Sequence, residues 1–131
     1  MITNRSMPPG VIIPELPYEE VNTAAAWLCQ TFGFKERLRI GDHRCQLTFG
    51  ESSIVVIERK VPGLSSIMVH VDDIESHYVR TKQSGARIIS LPTDYPFGER
   101  QYTVEDLGGH HWTFSQTIAD VDPKSWGGIL A

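Results

Sequence analysis

Apolar residues change period twice along the first half of this chain. Residues 11–16 form a short β-rich run, after which Ala24, Trp27, Leu28, Thr31 and Phe32 recur at i, i+3, i+4 spacing, as on a helix with one buried stripe. Asn22 is placed to open that helix and Gly33 to stop it. Three strand-like runs follow at residues 34–40, 44–49 and 53–58, with turn signals at Gly41-Asp42 and Gly50-Glu51 between them. The predicted order is β, α, β, β, β.

After a loop at Val61-Pro62-Gly63 the same order returns. Residues 66–71 read as a strand, Asp72 as a helix N-cap reinforced by Glu75, and Gly85 as the helix stop. Residues 86–91, 100–105 and 110–116 then supply three more strands, with a long Pro/Gly/aromatic loop and Leu107-Gly108-Gly109 between them. The two helix-stopping glycines lie 52 positions apart, so the register of an internal repeat holds. The fold class is therefore α+β, two βαβββ repeats over residues 11–117 with half-units 11–60 and 64–117. A tail covers 118–131, and a flexible arm covers 1–10, where Pro8-Pro9-Gly10 reads as a hinge. Strand alternation gives each sheet one face for its helix and a second face for a shared cup. The plainer alternative is a two-layer domain whose second face is a dimer interface.

Composition narrows the function classes. A chain of 131 residues with 40% hydrophobic and 21% charged residues suits one ordinary globular domain. A net charge of -4, without any long basic run, lacks the footprint of a nucleic-acid binder. No apolar stretch reaches the ~18 residues of a membrane span and the first ten residues are polar, which predicts a cytoplasmic protein. Cys29 and Cys45 are isolated in helix and strand patterns and read as reduced packing thiols. There is no G-x-S-x-G elbow, phosphate loop, H-E-x-x-H or G-x-G-x-x-G helix opening.

Three segments of the second half carry a resemblance: Val71-Asp72-Asp73-Ile74, Ser84-Gly85-Ala86-Arg87-Ile88, and Asp106-Leu107-Gly108-Gly109-His110-His111-Trp112. They resemble the VDD, GA-[RK]-I and D-P-x-G-[HN]-x-W signatures of the vicinal-oxygen-chelate superfamily of glyoxalases, bleomycin-resistance proteins and dioxygenases. Phe97-Gly98-Glu99-Arg100 is similar to the W-G-D-R segment of its metal-poor branch, near the phosphonate-operon accessory proteins. Ala24-Ala25-Ala26-Trp27-Leu28, Phe32-Gly33-Phe34 and Leu47-Thr48-Phe49-Gly50 match more weakly, and Leu107 stands where the family has Pro. The resemblance implies that the metal-ligand positions are Ile13, Val55 or Val56, Ser66 and Thr113. These are poor donors for a divalent ion, so neither metal nor cofactor is expected. It also implies a homodimer, because bleomycin-resistance proteins exchange an N-terminal segment at a proline hinge and Pro8-Pro9 sits where that hinge would be.

The strand phase lines the expected cup with Glu15, Gln46, Thr48, Met68, His70, His111 and Thr113, and a lid over residues 91–100 adds Tyr95, Phe97 and Arg100. This mixture suits a small, partly aromatic organic ligand, an antibiotic or toxic metabolite to be sequestered. Dull readings stand beside it: Met68 as core filler, Tyr95 and Phe97 packed on their own sheet, Arg100 in an ion pair. The alternative function is a metal-dependent lyase, isomerase or dioxygenase with a shifted Glu15, Glu58 and His70 set, and a third is proton chemistry by His70 and His111. His110 is read as a turn residue, His43 and His77 as surface residues, and Trp112 and Phe114 as core.

Overall fold

Helix α1, Val21–Phe32, buries Ala24, Ala25, Leu28 and Phe32 along one stripe, as its period predicts. It starts one residue before Asn22 and without a side-chain cap bond. Val21 is 2% exposed, and packing this residue outweighs the capping preference of its neighbour. Gly33 ends the helix in the left-handed region (φ 89°), a conformation that an L side chain resists. The computed structural model describes residues 4–59 and 64–130, so the loop expected at Val61-Pro62-Gly63 lies outside the described residues.

Two compact units are present, one of the residues up to Ser65 together with Leu107–Gly109, the other of Ser66–Asp106 and the residues from His110 onward. The first unit carries β1 (Glu15–Tyr18), β2 (Lys35–Ile40), β3 (Arg44–Phe49) and β4 (Ser52–Glu58), in the order β1-β4-β3-β2 with β1 parallel to β4. β1 begins later than residue 11. Val11 and Ile12 are exposed, and Pro14, which has no N–H, offers only its carbonyl to Val55 at 2.9 Å.

The second unit carries β5 (Ser66–His70), α2 (Ile74–Gln83), β6 (Arg87–Tyr95), β7 (Glu99–Glu105) and β8 (His111–Thr117). Its order β5-β8-β7-β6, with β5 parallel to β8, repeats the topology of the first. Asp73 rather than Asp72 caps α2, accepting from the Ser76 N–H at 3.2 Å and from its hydroxyl at 2.7 Å. β6 and β7 both run further than their apolar patterns suggest. The expected lid over residues 91–100 is instead the end of a long hairpin that turns within residues 96–98; Pro92 is tolerated because β6 is an edge strand.

The helix-side faces form the core. Leu16, Tyr18, Cys45, Leu47 and Val56 do so in the first unit, and Tyr102, Val104, Trp112 and Phe114 in the second, all at most 2% exposed. His77 belongs to this layer and not to the surface: its ring lies 4.0 Å from Phe114 and its Nδ1 2.5 Å from the Tyr102 hydroxyl. Burial raises the Tyr102 pKa well above the phenol range, and the hydroxyl also meets Thr81 at 2.9 Å. Asp106 organises the last turn, accepting from the His110 N–H at 3.0 Å and from Trp112 Nε1 at 2.9 Å.

Candidate functional site

Each sheet keeps a face turned away from its helix, and cross-strand partners share that face. In the first unit Glu15, Val55, Gln46 and Leu38 stand in one row, with Ser53, Thr48 and Lys35 in the next, so Glu15, Gln46 and Thr48 share the face turned away from α1. Glu15 is ion-paired with Arg44. Gln46 is only 5% exposed; its Oε1 accepts from Arg37 at 2.6 Å and its Nε2 donates to the Ser6 carbonyl at 2.8 Å. Arg37 escaped the sequence reading. Its signal is the run Lys35-Glu36-Arg37, in which three charged residues in succession break the alternation of a strand.

In the second unit the open face holds Ser66, His111, Glu105 and Arg87 in one row, Met68, Thr113, Thr103 and Ser90 in the next, then His70, Ser115, Gln101 and Thr93. Met68 is 65% exposed beside hydroxyls of Thr103 and Thr113 that are 2.9 Å apart. Gln101 donates to Ser115 at 3.0 Å, and Ser115 donates in turn to Glu99 at 2.7 Å. His111 lies 3.4 Å from Glu105, and His70 is 3.7 Å from Asp72. The polar alternation Glu99, Gln101, Thr103, Glu105 was the available signal for the β7 members of this face.

Tyr95 shares the row of Glu99 and Thr117, and Phe97 stacks on it at 5.4 Å while meeting Trp126 of the tail at 5.5 Å. The two aromatics thus stack on each other at the end of the β6–β7 hairpin, and Phe97 also packs on the tail. Arg100 does not join the open face. It stands opposite Gln116 and Asp94, on the α2 side, where it is bound to Asp94 at 2.6 Å and lies 3.6 Å from Glu75. This guanidinium holds the Asp94 carboxyl below the usual carboxylate range.

The shifted Glu15, Glu58 and His70 set does not converge. Glu58 comes three positions after Val55, the partner of Glu15, so the two carboxylates point to opposite faces of one sheet. His70 pairs with Ser115, four residues along β8 from His111, which separates the two histidines by about 13 Å and precludes a shared proton. At the positions the resemblance implies for metal ligands, Ile13 precedes β1, Val55, Ser66 and Thr113 lie on the faces turned away from the helices, with Val55 buried, and Val56 lies on the helix side. Aliphatic and hydroxyl side chains do not fit a divalent ion. Among the described residues no three His, Cys, Asp or Glu side chains group together.

A cavity of 230 Å³ opens elsewhere in the first unit, at the start of α1, lined by Tyr18, Glu19, Glu20, Thr23, Arg59 and Gly108 among others. Arg59 reaches across it to the carbonyls of Pro17 and Gly108, at 3.2 and 2.9 Å. No sequence motif announced it, because its walls come from three distant stretches of chain.

The model of the Glyoxalase/Bleomycin resistance protein/Dioxygenase superfamily matches residues 12–114. TioX from Micromonospora sp. ML1 is 31% identical, covers 82% of this chain and 98% of its own, and superposes with a TM-score of 0.77. TnmS3, an antibiotic binding protein from Streptomyces sp. CB03234, shares the fold at 20% identity and a TM-score of 0.70, over 82% of this chain and 95% of its own. An uncharacterised protein of Mycobacterium bovis is 29% identical over 62 residues, 46% of this chain. The match spans only 41% of that relative's length. By the family match, the repeated βαβββ topology and the likeness to TioX, this chain belongs to the glyoxalase, bleomycin resistance protein and dioxygenase superfamily.

Proposed function

We propose that this protein binds a small, partly aromatic organic molecule of the antibiotic or toxic-metabolite kind, without a metal, and works by sequestration as a cytoplasmic homodimer. One observation carries the reading. The open face of the second sheet sets the exposed Met68 thioether among paired hydroxyls and a Gln101-Ser115-Glu99 hydrogen-bond chain, a polarizable apolar surface framed by oriented polar groups. TnmS3, with the same fold, is an antibiotic binding protein, and this supports the ligand class. The titratable groups of these faces favour binding over acid–base chemistry, since Glu15 and Glu105 are each tied to a cation and the two histidines are too far apart to cooperate.

The test is a titration of the full chain with bleomycin and a panel of planar heteroaromatic acids, read by the fluorescence of Trp27, Trp112 and Trp126. At least one compound is expected to saturate at micromolar concentration, and Met68→Lys or Thr113→Arg to abolish its binding. A panel with no saturation below about 1 mM, which corresponds to roughly 4 kcal/mol of binding, would reject the reading.

A further inference from the structure

We infer that the open face of the first sheet is a recognition site for closely spaced amide carbonyls, with residues 4–10 as a resident occupant that a peptide-like ligand displaces. The inference rests on the binding-protein reading and adds a ligand class to it.

Residues 4–10 are not shaped as a strand. The Asn4 side chain accepts from the Ser6 N–H at 3.0 Å and the Asn4 carbonyl from the Met7 N–H at 3.3 Å, which closes a turn, while Pro8 and Pro9 have no N–H to give a ladder. The turn leaves the successive carbonyls of Arg5 and Ser6 to outside partners. Both find donors on the first sheet: Arg37 reaches the Arg5 carbonyl at 2.8 Å and Gln46 the Ser6 carbonyl at 2.8 Å. Pro8 is the buried residue of the segment, with exposed residues on either side.

The donors are prepared by the sheet itself. Pairing between β2 and β3 skips a residue between Glu36 and Leu38, so Arg37 is the extra residue of a bulge, the device by which strands re-aim a side chain. From there its guanidinium binds Gln46 Oε1, which commits the buried carboxamide to offering its NH2 group outward. Fixed donors that already hold two consecutive peptide carbonyls are matched to any ligand with the same spacing of acceptors. A ligand without carbonyls that displaced the segment would leave the Gln46 amide buried and unsatisfied, so the site discriminates by chemistry. The tethered segment competes from within the chain and lowers the apparent affinity of every such ligand.

The test uses the full-length chain, labelled with ¹⁵N, and the heptapeptide acetyl-Asn-Arg-Ser-Met-Pro-Pro-Gly-amide as probe. Pro8→Asp removes the buried anchor and is expected to tighten probe binding about tenfold over the native chain, with shifts in the Gln46 side-chain NH2 signals. Pro8→Ala gives the same direction if the charged variant is unstable, and Gln46→Leu added to either variant removes the gain. Equal probe affinity in the native chain and both Pro8 variants, or binding indifferent to Gln46→Leu, overturns the inference. If an aromatic compound saturates while the heptapeptide fails, this inference falls and the binding-protein reading stands. Heptapeptide binding with a silent aromatic panel upholds the carbonyl site and removes the aromatic ligand.

Discussion

At the scale of the residue, Asp106 shows why a short motif persists as geometry. The residue is 5% exposed and its carboxylate accepts from two donors, the His110 backbone and the Trp112 indole. Asp106→Ala is expected to cost about 3 kcal/mol, measured by urea unfolding, because it removes two buried hydrogen bonds to a charged acceptor. Cys45 gives a pH-dependent case. Burial first, then the Glu36 carboxylate, raises its pKa from 9.0 to about 11. The unfolded chain therefore ionises this thiol before the folded chain does, so stability falls as pH rises from about 9 to about 11. Unfolding midpoints across that range should decline in the native chain and less steeply in Cys45→Ala. The motif residues and both thiols were legible as packing groups from one sequence; the opposing placement of Arg100 was not, because it depends on where the β6–β7 hairpin turns.

Among the elements, that hairpin differs most from its sequence pattern. Gly98 sits in the turn at φ 89°, and a Cβ there would lie 2.4 Å from the Ala119 carbonyl. Gly98→Ala is expected to destabilise by about 2 kcal/mol or more and to loosen the tail, seen as a change in Trp126 emission, since the same turn carries the Phe97 contact to Trp126. The cap of α2 makes a smaller prediction. Asp73→Ala removes two bonds to Ser76 and should cost about 1 kcal/mol in the same unfolding assay. The residue type at that cap was legible and its position was wrong by one, because Asp72 and Asp73 are chemically equal until the backbone selects between them.

For the whole molecule, Val11, Ile12, Leu64, Ile129 and Leu130 are exposed apolar residues, the kind of surface that the proposed homodimer would cover. We expect light scattering to give twice the 14.7 kDa chain mass at micromolar concentration. A monomer mass at that concentration would reject the homodimer and leave the ligand faces to be tested in a single chain.

By itself the sequence determined the α+β class, the repeat and the order of its elements, since hydrophobic period and turn residues are local and act wherever the chain goes. It also placed Glu15, Gln46 and Thr48 on one face and Met68, His70, His111 and Thr113 on another, because alternation is a property of any strand. Only the tertiary structure decided that Glu58 opposes Glu15, that Arg100 turns to the helix side of its sheet, that His77 of α2 packs down onto Tyr102, and that residues 4–10 lie on Arg37 and Gln46. Those outcomes depend on register, bulges and contacts between distant segments, and their energies have no counterpart in any local stretch of chain.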